Sequence, residues 1–504
     1  MEPVERHSFE PDASFDGGDL DCGNGLLLLI RQHMDPLERG GLLEFRSTEI
    51  SVDADFPAWC RMTGNELVSW TKHGKVRSFL VCKGVLADRR GRQSPARLAP
   101  GLGLDVVPVT IPKRLPLPAP SPVIPALAVM GVGSWPRPRW MLQAIHEHLE
   151  GRLSDADFRE TAADATRLAV QAQLRAGVDV VSDGEQRRDN YASFVGGLLD
   201  NCRLIPLTDL LPLVDHPEDF EREMRSLDVP ASEVRHPAVF GPLGRSRSLA
   251  REEFELVHAL TDRPVKIALP GPYLLTRMMW MECISDRAYR SREHLAEDVV
   301  RVLREEIHDL LAAGVTLVQL DEPVLSEVVF TGAKSTRSFM CGALSEKGDS
   351  QVELEFAGTL INQVVAGLPA ARLGLHVCRG NWTPDERVAL AGDYRPLLGL
   401  LRRVNVGTLF LELATPRAGG MEILADLPDD RRIGVGVVNQ KRREIEKVED
   451  VVARGRRAVE ILGPDRVLLT PDCGFATFAD NPVASPQIAE AKLQVIVAAA
   501  ERLR

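Results

Sequence analysis

From residue 125 to the C-terminus, short apolar runs alternate with longer stretches in which apolar residues recur every three or four positions. The runs predict eight strands: Leu127–Ser134, Val178–Asp183, Val265–Pro270, Val315–Asp321, Arg372–Val377, Val404–Glu412, Ile433–Val438 and Val467–Pro471. The stretches between them predict helices, for example Glu293–Ala312 and Ile445–Leu462, the latter closed by Gly463-Pro464. Apolar strands separated by helices run parallel, because parallel neighbours need a crossover connection. Eight such units predict an α/β fold, a (β/α)₈ TIM barrel with insertions, and barrels of this kind carry chemistry at the C-terminal ends of their strands.

Upstream, proline breaks the rhythm. Pro108, Pro112, Pro116, Pro118, Pro120, Pro122 and Pro125 follow a stretch containing Arg89, Arg90 and Arg92, which is read as a solvated charge run. Proline at this density excludes helix and central strand and predicts a semi-rigid extended spacer. The expected organisation is a small domain over 1–90, a Pro/Arg-rich linker over 91–124 and the barrel over 125–504.

Composition narrows the function classes. Of 504 residues, 44% are hydrophobic and 26% charged, the balance of an ordinary globular protein. A net charge of −11 argues against a nucleic-acid partner, since phosphate binding needs a basic footprint. The longest apolar runs, such as Gly25-Leu-Leu-Leu-Leu-Ile30, fall far short of the ~20 residues that span a bilayer, so no membrane role is expected. An acidic, polar N-terminus without a basic n-region and apolar h-region predicts a cytoplasmic protein. Eight irregularly spaced cysteines form no disulfide framework, so some are expected to be reduced and functional.

The distinctive polar residues gather at the predicted strand ends. Leu373-Gly-Leu-His376-Val-Cys378, Leu409-Phe-Leu-Glu412 and Thr470-Pro-Asp-Cys473-Gly474 supply one imidazole, two thiols and a carboxylate. That donor set suits tetrahedral Zn²⁺. His376 and Cys378, two apart on a strand, leave the same face. Spread over three strands, the set reads as an active-site metal in a barrel mouth, and the competing reading is a buried cysteine pair beside a core histidine. Ser134, Asp183-Gly184-Glu185 and Asp321-Glu322-Pro323 occupy other strand ends. For Asp183, Glu185 and Asp321 the competing reading is a structural salt-bridge network with residues such as Arg188.

In this order the motifs resemble the catalytic domain of cobalamin-independent methionine synthase, from about Val129 to Ala476. Val132-Gly-Ser-Trp-Pro136 resembles the family's opening motif, which places Ser134 near the substrate carboxylate. Asp183-Gly-Glu185 and Gln319-Leu-Asp-Glu-Pro323 resemble its next two motifs, and the resemblance implies that Glu185 and Asp321 hold the ammonium of homocysteine. It also implies zinc on His376, Cys378, Glu412 and Cys473, with Glu412 a displaceable ligand. Three features depart from the family. There is no room for a second barrel. Asn439 and Lys441 stand where the seventh strand carries an aspartate and a proton-transferring histidine, and Met278 is nearest the place of a pterin-stacking tryptophan. These departures point to a donor other than methyl-folate, such as a methyl-corrinoid protein. Related alkyl transferases that add epoxides to coenzyme M share the zinc motif.

Residues from about Leu20 to Gly84 resemble a small two-layer α+β TusA-type sulfur carrier. Asp21-Cys22-Gly-Asn-Gly25 matches its strand–Cys–helix motif, with Cys22-Gly23-Asn24-Gly25 in place of Cys-Pro-x-Pro. At a helix N-terminus Cys22 would have a lowered pKa and could carry a persulfide. The leading expectation is a zinc-dependent methyltransferase acting on a small thiol, homocysteine first. The alternatives are sulfur transfer from Cys22 through a sulfur-relay partner to an acceptor at the zinc, and a non-enzymatic sulfur-carrier scaffold.

Overall fold

The computed structural model describes residues 4, 6–18, 26–50, 52–89, 106–149, 151–206, 235–280, 285, 288–330, 349–381, 386, 389–476 and 483–504. Two compact units emerge, Met1–Leu104 and Asp105–Arg504.

In the first unit the elements follow the order β1 (Ala13–Asp16), α1 (Leu26–Met34), β2 (Leu42–Ser47), α2 (Val52–Thr63), β3 (Glu66–His73) and β4 (Val76–Cys82). The sheet order is β1-β2-β4-β3, with β1 parallel to β2 and the other two pairs antiparallel. Phe45 and Phe79 from the sheet pack with Phe56 and Trp59 of α2 and with Leu26 and Ile30 of α1, giving two layers around one apolar core. Cys22 lies outside the described residues. Arg89, read from sequence as solvated, forms an ion pair with Asp12.

Six parallel strands run in sequence through the second unit: β7 (Lys266–Pro270), β8 (Leu317–Asp321), β9 (Leu373–Val377), β10 (Thr408–Leu411), β11 (Arg432–Val438) and β12 (Val467–Pro471). The ring closes through single parallel bridges, Leu469 to Val129, Met130 to Val180, and Val181 to Val265. The first two expected strands are thus present only as bridges, and the expected Val404–Glu412 shortens to β10. Leu127 adopts φ +54° beside Pro125, and Gly131 and Gly133 follow, so little backbone there is free to extend the ladder. Helices such as Asp155–Ala176, Arg292–Ala313 and Val448–Leu462 cover the outside. Inside, Phe410 fills space left by Gly374 and Gly434 on the neighbouring strands, where a Cβ would collide with its ring. A two-stranded antiparallel ribbon, β5 (Asp200–Pro206) with β6 (Arg235–Gly244), is inserted between the second and third barrel segments.

Part of the expected spacer belongs to this unit. Ala119 N–H donates to Leu311 O at 3.0 Å, Arg372 donates to Ala119 O, and Arg432 Nη1 donates to Ile124 O at 2.8 Å. These partners precede or begin barrel strands, so residues 116–125 form a strap along the N-terminal ends of the strands. Proline suits the role, since it supplies carbonyl acceptors without demanding partners for N–H groups. No helix among the described residues is long and apolar enough to cross a membrane.

Candidate metal centre and pocket

The C-terminal ends of β9, β10 and β12 converge. His376 lies within β9 and Cys378 just beyond it, Glu412 directly follows β10, and Cys473 lies two residues past β12. One donor atom from each of the four lies within 4.8 Å of every other, and all four residues are buried. The two Sγ atoms are 3.6 Å apart. Contact with Cys378, then burial, pushes the Cys473 thiol well above its usual range. Two thiols and a carboxylate packed this closely can ionise together only if a cation joins them.

The imidazole gives a second sign of fit. His376 Nδ1 meets Asp321 Oδ1 at 2.9 Å, while Nε2 is buried without a hydrogen-bond partner. A buried ring nitrogen left unpaired needs a reason, and a metal on Nε2 with a carboxylate on Nδ1–H is the common arrangement for ligating histidines. Glu412 Oε1 accepts from Arg379 N–H at 2.8 Å and Oε2 lies 3.4 Å from the Arg417 guanidinium. The residues present therefore suit Zn²⁺: one nitrogen, two sulfurs and one oxygen, buried and close.

Beside this cluster lies a pocket with a cavity volume of about 40 Å³, lined by Ser134, Glu185, Asp321, His376, Cys378 and Cys473, among others. Its opposite wall is the segment after the first bridge. Ser134 is tied there to the loop after β12, its Oγ accepting from Ala476 N–H at 3.3 Å and its carbonyl from Phe475 N–H at 2.9 Å. Glu185 adopts φ +56°, its Oε2 has no hydrogen-bond partner, and burial raises its pKa against the pull of Arg188. Asp183 is also buried, and burial with the nearby Glu253 charge lifts it to about 8. It does not line the pocket among the described residues. The salt-bridge reading is met by a different acid: Arg188 forms a two-point pair with Glu253, at 2.5 and 3.1 Å.

Other residues have roles that motif reading passed over. Lys266, at the start of β7, donates from Nζ to Gly131 O and Val132 O at 2.6 Å each and to Gln319 Oε1 at 2.8 Å, deep in the barrel. Burial pulls this ammonium down to about 7, opposed by Asp321 and Glu185. A lysine inside the apolar run Val265–Pro270 was the available signal. Lys441 is also buried; burial lowers its pKa, and the charges of Glu412, Cys378 and Cys473 act against that, which puts it within electrostatic reach of the cluster. Asn439 binds Glu386 through its amide and Lys441 N–H through Oδ1. Met278 is buried in helix Pro272–Met279 and does not line the pocket.

The sequence model of the family described as cobalamin-independent synthase, catalytic domain, matches residues 127–502. The chain belongs to this family. Among curated relatives, a methionine synthase of Saccharolobus solfataricus is 26% identical over 354 residues, covering 70% of this chain and 89% of the relative. One from Sulfolobus acidocaldarius is 26% identical over 356 residues, covering 70% and 87%. Of solved structures, a B12-independent methionine synthase from Shewanella sp. W3-18-1, in complex with selenomethionine, superposes with a TM-score of 0.57 at 23% identity, covering 75% of this chain and 98% of that one. A putative vitamin-B12-independent methionine synthase from Listeria monocytogenes gives 0.52 at 21%, covering 76% and 99%. Both support the cobalamin-independent synthase fold for the second unit.

Proposed function

We propose that this chain is a zinc-dependent methyltransferase that methylates a small thiol, homocysteine to methionine. The observation that carries the reading is the convergence of the His376 imidazole, two thiols and the Glu412 carboxylate within 4.8 Å beside a pocket holding Glu185 and Asp321. Zinc bound there would keep the acceptor sulfur deprotonated and nucleophilic at neutral pH. Glu185 and Asp321 would receive the acceptor's ammonium through charge-assisted hydrogen bonds, and Ser134 would face its carboxylate. Asp321 holds the His376 ring in place through Oδ1. Arg417 offers Glu412 a partner when its carboxylate is not on the metal.

On the donor side, Asn439, Lys441 and Met278 depart from the folate-using pattern, which favours a donor other than methyl-folate, with a methyl-corrinoid protein as one candidate. The first unit's β-α-β-α-β-β order and its β1-β2-β4-β3 sheet support a sulfur-carrier assignment, with Cys22 as the bearer of a persulfide.

The test is metal analysis of the purified chain followed by incubation with homocysteine and either methylcobalamin or methyl-folate, with product mass measured. Stoichiometric zinc and methionine from either donor support the reading. Protein without zinc, or turnover abolished by Cys22→Ser but not by Cys473→Ser, overturns it.

A further inference from the structure

A line of hydrogen bonds runs from the barrel interior to the candidate metal centre. It passes from Lys266 Nζ to Gln319 Oε1 at 2.8 Å, from Gln319 Nε2 to Asp321 Oδ1 at 2.7 Å, and from Asp321 Oδ1 to His376 Nδ1 at 2.9 Å. Lys266, Gln319 and His376 are buried. The direction of the line follows from its carboxylate. Asp321 only accepts, so the Gln319 atom facing it is the NH₂ and the amide oxygen faces Lys266. The Gln319 NH₂ then faces Asp321 and donates to it. The carboxylate accepts both there and from the imidazole, so the His376 proton sits on Nδ1 and the buried, unpartnered Nε2 keeps its lone pair for a metal.

We propose that Lys266 and Gln319 are positioning residues that fix the tautomer and ring orientation of His376, and so the metal affinity of the site, through Asp321. The same ammonium holds the carbonyls of Gly131 and Val132, immediately before the pocket wall at Gly133 and Ser134. One cation thus places both the metal-facing and the substrate-facing sides of the pocket. The Phe410 ring, 4.8 Å from Nζ, closes the ammonium off below.

This inference rests on the zinc reading, and its test separates the two. Zinc affinity is measured by competition with a chromophoric chelator on the full chain, for the parent, Gln319→Met, Lys266→Met and the double variant, with Co²⁺ absorption spectra as a second readout. Outer-shell partners of metal-bound histidines typically change affinity 10- to 100-fold, so each single variant is expected to bind zinc about tenfold more weakly and to shift the Co²⁺ bands. Because both residues act along one line, the double variant should lose no more than the weaker-binding single. Lys266→Met removes a buried charge with three acceptors and can fail to fold; Gln319→Met keeps the lysine and decides the matter alone, its folding checked by circular dichroism. A parent that binds zinc tightly while Gln319→Met binds it equally well overturns the relay and leaves the methyltransferase reading standing. Additive losses in the double variant overturn it as well. A parent that binds no zinc removes the reading beneath it.

Discussion

A methyl group added at Gly133, in the pocket wall, displaces the Glu185 carboxylate. Gly133 is not in a left-handed conformation, so alanine suits its backbone. A Cβ there, however, falls about 1 Å inside ordinary van der Waals contact with Glu185 Oε1. The Glu185 main chain cannot follow, because Arg137 Nη2 grips its carbonyl at 2.6 Å. The carboxylate must therefore swing aside by about 1 Å, a misplacement of the size that costs about 100-fold in rate, or about 2.7 kcal/mol of transition-state stabilisation. Stability should move by less than about 1 kcal/mol, since Gly→Ala at a compatible position is neutral to favourable. The assay is kcat/KM for homocysteine together with zinc content and a melting curve. Gly133→Ala is expected to lower kcat/KM about 100-fold with zinc and melting temperature unchanged. If kcat/KM stays within about threefold of the parent, Glu185 does not hold the acceptor and the ammonium site has to be sought elsewhere.

Three further outcomes test the scaffold. Glu253→Ala removes the two-point partner of the Arg188 guanidinium, buried beneath Phe194, leaving it among the described residues the Ala268 carbonyl and the nearby Asp183 and Glu185 charges; it should cost about 3 kcal/mol in urea unfolding, and a loss below about 1 kcal/mol would mean the pair is not desolvated. Burial holds His236 neutral down to about 3 against an ordinary 6.5, so its contribution to stability is complete above pH 6.5 and declines as pH falls toward 3, by up to about 1.4 kcal/mol per unit. His236→Phe should flatten that acid slope, and an unchanged slope would count against the burial argument. Ser154 caps helix Asp155–Ala176 by accepting from Asp157 N–H, so Ser154→Ala should lower stability by about 1 kcal/mol while Ser154→Asp restores it.

The four-donor cluster could be picked out along the chain because its residue types are rare and their places regular. A histidine and a cysteine two apart at the end of an apolar strand have few other uses, and β9 presents them as that spacing requires. Lys266 was hidden for the opposite reason. Its neighbours are apolar, and only the folded barrel shows three acceptors converging on it. The first two strands were drawn too long because apolar content reports burial and not ladder pairing. Val129, Met130 and Val132 are buried like strand residues, yet the segment contributes single bridges. Residues 116–125 read as spacer because proline excludes regular structure, but exclusion from helix and sheet says nothing about docking onto a barrel through carbonyl oxygens.

That docking sets the length of the piece that can be moved as a unit. Recognisable kinship begins at residue 127, whereas the folding unit begins at Asp105. A fragment cut at the point of kinship would leave behind the acceptors of Arg372 and Arg432 at Ala119, Ile124 and Pro125. Arg432 would then lose both carbonyls it binds there, and Arg372 would keep only those of Leu311 and Val315. The portable cassette, for an engineer or for a recombining gene, includes a stretch that family resemblance does not mark.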